Sequence, residues 1–282
     1  MRSKREPCVQ VKTPAQLAKM HEAGQVVASA LRAAADAAAP GVATADLDAI
    51  ASAQIAAAGA APSFLGYHGF PATICTCINE EIVHGIPSAS RVLREGDVVS
   101  IDCGASVDGW HADAALTVGL PGVSAELATL IADCERALWR GLAAARPGAR
   151  LSDISHAVER SVRAAGEYGI VEDYVGHGIG SEMHMDPPVP NYGRPGRGPV
   201  LTEGMALAIE PLLVLGSPNT RLLDDGWTVV SEDGSWSAHF EHTVAITMDG
   251  PWVLTAFTGP PAGVPVPTGT VRAPALHRHA AG

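Results

Sequence analysis

Residues 98–118 read VVSIDCGASVDGWHADAALTV, a pattern typical of a β-hairpin. Two apolar runs flank Asp108-Gly109, a dipeptide that favours the tight turn between antiparallel strands. Asp102 and Asp113 are 113 − 102 = 11 residues apart, so around a two-residue loop their side chains share one face. They then lie directly opposite or on the diagonal, with Cβ atoms about 5–8 Å apart. A bound cation would remove their repulsion; two solvent-facing edge charges are the alternative.

The sequence around this hairpin occurs a second time. Residues 93–102 follow the pattern L-x-E-G-x4-I-D, and residues 201–210 follow L-x-E-G-x4-I-E at an offset of 201 − 93 = 108. Upstream, Pro40-Gly41 aligns with Pro147-Gly148 at an offset of 147 − 40 = 107. Each half therefore delivers a carboxylate at the same place, which indicates a duplicated architecture. The alternative is that helix caps and strand entries recur by chance.

Two helices are predicted in each half. Thr13-Pro14-Ala15-Gln16 has the pattern of a capping box with proline at the first helical position, and Pro40-Gly41 ends that helix. The apolar periodicity predicts the other three helices over 45–58, 125–146 and 153–165. Strands that gather into one antiparallel sheet covered by these helices give an α+β fold.

Composition narrows the class of protein. The chain has 282 residues, of which 47% are hydrophobic and 17% charged, so it can bury a core. Its formal net charge of 19 − 30 = −11 argues against nucleic-acid binding through a general positive field. We expect neither a membrane span nor a signal peptide, because no apolar run is long enough. Five cysteines without a C-x-x-C pair favour reduced thiols and a cytoplasmic location.

Two histidines lie in a glycine-rich segment after the fourth helix. His177 has a glycine on each side, which leaves room for a metal or a substrate beside the backbone. His184 follows at a spacing of 184 − 177 = 7, which does not place both rings on one helical turn. Taken alone, two loop histidines are more often surface residues than ligands.

Two glutamates interrupt apolar strand patterns. Glu210 lies within a predicted strand over 206–215, and Glu241 lies within a second predicted strand over 238–244. A carboxylate buried in such a strand is costly unless it is paired or bound to a metal. Both glutamates are therefore candidate ligands.

The order of these residues along the chain resembles that of a known family. Asp102, Asp113, His177, Glu210 and Glu241 resemble the ligand set of methionine aminopeptidases and their relatives with the pita-bread fold. The resemblance covers about residues 9–257. Several blocks are similar to type I methionine aminopeptidases in particular: Lys12-Thr13-Pro14, 66–71, 79–80, 84–87, 176–192, 204–205, 209–211 and 241–243.

The resemblance implies a pita-bread fold with pseudo-twofold ααβ halves around a central antiparallel sheet, with helices on its outer face. We expect a single catalytic domain over 13–258, with repeat halves at about 13–119 and 124–258. Residues 1–12 would form a short N-terminal extension, and we expect 259–282 to be a disordered tail.

The resemblance also implies a centre of two divalent metal ions. Asp113 and Glu241 would bridge the ions, Asp102 would complete one site, and His177 with Glu210 would complete the other. Four carboxylates balance the charge of two divalent cations. An oxygen-rich set with one nitrogen suits Mn, Fe or Co, and Zn is an alternative.

The same resemblance assigns roles around the metals. Glu210 would carry a proton from the attacking water to the departing amine. His184 would stabilise the tetrahedral intermediate, and His84 would contact the amide nitrogen of the scissile bond. The methionine side chain would enter a pocket formed by Tyr67, Phe70, Cys75, Met183 and Trp227, with Phe64 at its edge. Phe64 and Met183 depart from the residues commonly seen there, which leaves the dimensions of the pocket open.

The function implied is removal of the initiator methionine from nascent proteins when the second residue is small. An Xaa-Pro peptidase is one alternative, although such relatives usually carry an extra domain and this chain has no room for one before Thr13. A pita-bread binding protein without metals is another, but all five ligands are present. The interval of 241 − 210 = 31 residues is too short for the helical insertion of type II enzymes.

The partners expected are nascent polypeptide N-termini. Transient contact with the ribosome is consistent with such substrates. We expect a monomer with no direct binding to nucleic acid or to a membrane.

Overall fold

Four α-helices lie in two pairs, as the periodicity predicts. The computed structural model describes residues 9–256, so the predicted tail over 259–282 and most of the extension over 1–12 lie outside the described residues. The helices are α1 Pro14–Ala37, α2 Thr44–Ala57, α3 Ala125–Ala144 and α4 Leu151–Ala165. None of these helices is both long and apolar enough to cross a membrane.

The start of α1 has the predicted capping box. The Thr13 hydroxyl accepts a hydrogen bond from the Gln16 backbone N–H at 3.3 Å, and the Gln16 side chain accepts one from the Thr13 N–H at 2.8 Å. The starts of α2 and α4 lie slightly before their predicted positions. The side chains of Asp46 and Asp153 accept hydrogen bonds from the backbone N–H groups at positions 43 and 150. These contacts cap the two helices one or two residues earlier than predicted.

Fifteen strands connect the helices within the described residues. In chain order, β1 to β15 are Ala61–Pro62, Ile74–Ile78, Glu81–Val83, Val98–Val107, Trp110–Gly119, Gly169–Ile170, Gly176–Gly178, Met185–Val189, Ala206–Ile209, Leu212–Val214, Thr220–Leu222, Val229–Ser231, Ser237–His239, Glu241–Thr247 and Gly250–Val253. A nine-stranded sheet has the order β1-β4-β5-β14-β9-β7-β8, with β2 beside β4 and β15 beside β14. Its strand pairs are antiparallel, so the α+β class is confirmed.

A smaller sheet of order β13-β10-β6 corrects the predicted strands around the glutamates, and a second small sheet has the order β11-β12-β3. Each of the predicted strands 206–215 and 238–244 is divided into two strands that belong to different sheets: β9 and β14 lie in the large sheet, whereas β10 and β13 pair in a three-stranded one. Pro211 has no N–H to donate, so the ladder of β9 cannot continue through it. The chain therefore leaves the large sheet at Glu210 and enters it at Glu241.

The duplication is visible as equivalent contacts in the two halves. The Gly41 N–H donates to the Leu93 carbonyl at 2.8 Å, and the Gly148 N–H donates to the Leu201 carbonyl at 2.8 Å. Both glycines have positive φ, at 93° and 87°, a conformation that glycine adopts without steric cost. In each half, a hydrogen bond thus joins the turn between the two helices to the segment that precedes the next strand of the large sheet.

The helices cover one face of the large sheet. Val27 of α1 and Ile101 of β4 are fully buried in one core, and Leu138 of α3 packs with Ile209 of β9 in another. Side chains alternate between the two faces of a strand. Because Ile101 and Ile209 face the helices, Asp102 and Glu210 are directed to the opposite side of the sheet.

Gly24 lies in the middle of α1, and we expect Gly24→Ala to destabilise the fold. A Cβ there would lie 2.3 Å from the Leu254 carbonyl oxygen, so the backbone would have to move. We expect a loss of about 1–3 kcal/mol, although alanine favours an isolated helix by about 1 kcal/mol. Urea unfolding monitored by circular dichroism measures the difference.

The matched control is Gly141→Ala in α3. There the new Cβ would lie 2.7 Å from a methyl group of Val158, a side chain that can shift more easily than backbone. We expect a smaller loss. An unchanged or increased unfolding free energy of Gly24→Ala would show that the α1 contact with Leu254 does not limit this position.

Candidate metal centre and substrate pocket

The hairpin predicted over residues 98–118 is formed by β4 and β5. Asp108 and Gly109 connect the two strands with φ of 51° and 77°, as a type I′ turn requires. Asp102 is paired with Ala115, and Asp113 is paired with Gly104. The two aspartates therefore lie on the diagonal, one of the two arrangements expected from their spacing.

The five predicted ligands occur on five neighbouring strands. In the order β4, β5, β14, β9 and β7, the strands carry Asp102, Asp113, Glu241, Glu210 directly after the strand end, and His177. The registers connect this row, since Ala115 of β5 pairs with Asp102 on one side and with Glu241 on the other. The structure thus brings together residues that are distant in sequence.

Burial dominates the electrostatics of the four carboxyls. It raises the pKa of Asp113 to about 7 and the pKa of Glu210 to about 8. Burial also raises the pKa of Asp102 and of Glu241, and the neighbouring carboxylates add to the shift of Asp102, Glu210 and Glu241. Four acids in one buried group oppose one another unless positive charge is supplied.

Several donor atoms in this group have no hydrogen-bond partner. Among the described residues these are Oδ1 of Asp102, Oδ1 of Asp113, Oε1 of Glu241 and Nε2 of His239. Buried polar atoms are nearly always satisfied in folded proteins, so a cluster of unsatisfied ones calls for a ligand. Oxygen and imidazole donors turned toward one another fit divalent cations.

The donor atoms form two overlapping groups. Asp113, His177 and Glu241 each offer an atom within 4.8 Å of the others, and so do Glu210, His239 and Glu241. Glu241 belongs to both groups, which is the position that a bridging carboxylate needs. Residues 9–256 therefore contain two overlapping groups of side chains that could hold a metal ion.

His177 presents one ring nitrogen to the carboxylates. Its Nδ1 is hydrogen-bonded to the Gly178 carbonyl at 2.9 Å, and its Nε2 lies 4.0 Å from Glu241 Oε1. Burial lowers the pKa of His177 to about 4, which keeps the ring neutral and able to bind a metal. Gly178 is required by close packing, because a Cβ there would lie 2.1 Å from the Asp186 carbonyl oxygen.

His239 lies among the predicted ligands, although the sequence did not predict a role for it. Its side chain is 3% exposed, and its Nε2 lies 3.8 Å from Glu210 Oε2 and 3.8 Å from Glu241 Oε2. The sequence contains a signal for it, because residues two apart along extended chain share a face. His239 precedes Glu241 by two positions and so accompanies it into the site.

The two remaining predicted histidines line the same cavity. Nδ1 of His184 is hydrogen-bonded to the Tyr67 hydroxyl at 2.9 Å, and its ring centroid lies 4.4 Å from that of His177. Burial lowers the pKa of His184 to about 3, with nearby histidines adding to the effect. Burial also lowers the pKa of His84, whose ring lies 6.3 Å from Trp227.

An apolar pocket opens beside the carboxylates. The cavity has a volume of about 450 Å³, and its walls include the carboxylate row and the predicted methionine pocket of Phe64, Tyr67, Phe70, Cys75, Met183 and Trp227. Phe70 and Trp227 meet edge to face at 5.1 Å. Val83 and Tyr174 also line it, although the sequence did not single them out for this purpose.

Cys75 is positioned at the junction of the pocket and the metal centre. It is paired with Asp102 across β2 and β4, and it is 4% exposed. Burial raises the pKa of the Cys75 thiol, and the charge of Asp102 raises it further. The residue is therefore a neutral thiol that serves as apolar wall, not a nucleophile.

Comparisons with known proteins agree with this geometry. A model of metallopeptidase family M24 matches residues 18–248. Methionine aminopeptidase 1 of Mycobacterium tuberculosis is 55% identical over 245 residues, which cover 85% of this chain and 92% of that protein. Methionine aminopeptidase 1 of Bacillus subtilis is 48% identical over 244 residues, with coverage of 86% and 98%.

Solved structures give the same result. The crystal structure of a methionine aminopeptidase from Thermotoga maritima has a TM-score of 0.86 at 40% identity and covers 88% of this chain and 99% of its own. A prolidase from Pyrococcus furiosus shares the fold, with a TM-score of 0.69 at 24% identity, and the match covers 66% of that longer chain.

Proposed function

We propose a function for this chain from one established premise: it belongs to metallopeptidase family M24. The chain is a methionine aminopeptidase, which removes the initiator methionine from nascent proteins. The observation that carries this assignment is the row of four carboxylates and one histidine across five neighbouring strands, which opens on an apolar pocket. The relatives of 48–55% identity carry the same name.

The residues present fit a centre of two divalent ions. Asp113 and Glu241 would bridge the ions, Asp102 would complete one site, and His177 with Glu210 would complete the other. Unsatisfied atoms on both bridging residues and on Asp102 support this assignment. The oxygen-rich donors favour Mn, Fe or Co over a thiolate-type zinc site. When bound, such ions lower the pKa of water and polarise the scissile carbonyl.

Glu210 is the proton carrier in the proposed mechanism. Its side chain is 13% exposed, against 3% for that of Glu241, so it is the more accessible of the two glutamates from the cavity. Its backbone carbonyl accepts a hydrogen bond from Asn191 Nδ2 at 2.9 Å, which holds the segment after β9 in place. Glu210 accepts the proton of the attacking water and delivers it to the departing amine.

His184 stabilises the oxyanion that forms at the carbonyl. If the Tyr67 hydroxyl donates to Nδ1, the proton of the neutral ring is on Nε2. A preoriented N–H directed at developing negative charge lowers the barrier more than one that must first reorient. His84, which lines the same cavity, contacts the amide nitrogen of the scissile bond.

The pocket accounts for the choice of methionine. Phe64, Phe70, Cys75 and Met183 are buried together, with Tyr67 and Trp227 packed against them. Such a wall of rings and sulfur suits an unbranched thioether, which is flexible and polarizable. A charged first residue would lose its hydration there without gaining a partner.

The expected substrate rule is cleavage of Met-Xaa peptides only when Xaa is small. We expect the second residue to lie close to His84 and the carboxylate row, where a large side chain would be crowded. Gly, Ala and Ser should be accepted, and Lys, Arg and Trp should be cleaved at least about 100-fold more slowly, equivalent to about 3 kcal/mol. A panel of peptides that begins with Met-Ala-Ser and includes Met-Lys and Ala-Pro measures kcat/KM for each.

Two outcomes of this panel would overturn the assignment. Comparable cleavage of Met-Lys and Met-Ala peptides would contradict the size rule. Faster cleavage of Ala-Pro than of Met-Ala would favour an Xaa-Pro peptidase, whose known members share the fold at lower identity.

The cellular setting is also a proposal. We propose a cytoplasmic monomer in which residues 13–258 form one catalytic domain with two repeat halves, and which contacts ribosomes transiently. Four cysteines of the described region are buried and unpaired with each other, consistent with a reducing compartment: Cys75, Cys77, Cys103 and Cys134. The net charge of −11 disfavours direct binding to nucleic acid.

A further inference from the structure

His239 is buried in the metal centre, but the five-ligand assignment gives it no role. The residue is 2% exposed, and its Nε2 has no hydrogen-bond partner within the described part of the chain. Histidine carries two polar nitrogens, so an apolar side chain would fill this position at lower cost. The free Nε2 requires a chemical reason.

The direction of the ring provides one. Nε2 lies 3.8 Å from Glu210 Oε2 and 3.8 Å from Glu241 Oε2. Both separations exceed the 2.7–3.2 Å of an N–H···O hydrogen bond. Two donors bound to one ion, each about 2.1 Å away, lie at most about 4.2 Å apart. The observed separations therefore suit a shared ion better than a direct bond.

The two oxygens of Glu241 face different histidines. Oε1 lies 4.0 Å from His177 Nε2, and Oε2 lies 3.8 Å from His239 Nε2. His177 and His239 thus stand on either side of one bridging carboxylate. An imidazole nitrogen therefore lies near each carboxylate oxygen of Glu241.

The backbone of His239 is held firmly. The Thr117 hydroxyl donates to the His239 carbonyl at 2.7 Å and lies 2.9 Å from its N–H, from which it accepts. Ser100 is hydrogen-bonded to the same hydroxyl at 2.8 Å. These contacts fix the position of the residue within β13 and so preorganise the ring beside Glu210 and Glu241.

We propose that His239 is a sixth protein ligand of this metal centre, binding through Nε2 the ion held by Glu210 and Glu241. The inference rests on the proposed function for the presence of metal, but not on the identity of the substrate. It gives the centre a second imidazole. A second nitrogen shifts preference away from Mn and toward metals such as Co, Ni or Zn, which bind imidazole more strongly.

The direct test is a crystal structure of the full chain soaked with cobalt(II) chloride at two equivalents. We expect Nε2 of His239 at about 2.0–2.2 Å from one cobalt ion. In solution, X-ray absorption should show an average of about one imidazole for each cobalt, because two histidines bind within a centre of two ions. A count of one imidazole for every two ions, with Nε2 beyond bonding distance in the crystal, overturns the proposal.

A variant tests the energetic contribution. His239→Phe keeps a ring of similar size but removes both nitrogens, and we expect calorimetry to show affinity for one cobalt ion reduced by at least about tenfold. His242→Phe is the matched control, because His242 is a partly buried histidine whose Nδ1 is hydrogen-bonded to Thr255 and whose ring packs against Trp139 of α3. If the His239 variant does not fold, the cobalt crystal structure and the X-ray absorption of the wild-type chain still test whether His239 binds the metal.

The failure of this proposal can be separated from failure of the proposed function. If the protein hydrolyses Met-Ala-Ser but His239 does not contact the metal, the sixth-ligand proposal is wrong and the aminopeptidase assignment stands. Cobalt bound by His239 in a protein that hydrolyses no Met-Xaa peptide would support the ligand and contradict the aminopeptidase.

Discussion

Removal of divalent metal by a chelator is expected to abolish hydrolysis of Met-Ala-Ser, and addition of Mn²⁺ or Co²⁺ is expected to restore it. The physical reason is the buried acidic group. Asp102, Asp113, Glu210 and Glu241 oppose one another without positive charge, and polarisation of the carbonyl also needs a cation. Turnover measured beside metal analysis gives the number of ions needed for full activity.

The control for metal removal is a measurement of whether the protein stays folded. The two cores between the helices and the nine-stranded sheet lie on the face opposite the acidic group, so the far-UV circular dichroism spectrum should change little on chelation. Full turnover in protein shown to be free of metal would contradict the metal-dependent mechanism. A collapse of the spectrum instead would mean that lost activity reports unfolding.

Replacement of Glu210 is expected to have the second large effect. Glu210→Ala removes a proposed ligand and the proposed proton carrier together, so kcat should fall by about 10³-fold or more. His184→Ala retains every proposed ligand but removes the oxyanion contact, and kcat should fall by about 100-fold while KM changes little. Steady-state kinetics with Met-Ala-Ser separates the two effects.

Two further variants sharpen this comparison. Tyr67→Phe removes the hydroxyl bonded to His184 Nδ1, and we expect a kcat between those of wild type and His184→Ala. His156→Ala changes a histidine on α4, on the helical side of the sheet, and should leave both constants unchanged. An effect of His184→Ala on KM alone would show that His184 binds the ground state and not the transition state.

Local patterns in the sequence were sufficient for much of the fold. The capping box at Thr13 and the Asp108-Gly109 turn each depend on residues within a few positions, and both occur as predicted. The repeat at offsets of 107 and 108 also agrees with the structure, because the Gly41 and Gly148 turns form the same backbone hydrogen bond in each half. The candidate ligands were proposed from a resemblance in their order, which contains no distances.

The tertiary structure decided how these residues meet. Where Glu210 and Glu241 leave and enter the large sheet depends on Pro211 and on pairing between β10 and β13, which an apolar run does not reveal. Whether Asp102 and Asp113 are opposite or diagonal depends on register.

The orientation of His239 required the packed molecule as well. Its position comes from Thr117, which is 122 residues away in sequence, and its Nε2 faces carboxylates contributed by two other strand ends. Within one helix or strand, the spacing of residues along the chain sets which of them share a face, so the sequence alone determines this grouping. The distance between elements is set by the packing of both halves against each other, so only the tertiary structure brings His239 to the acidic group.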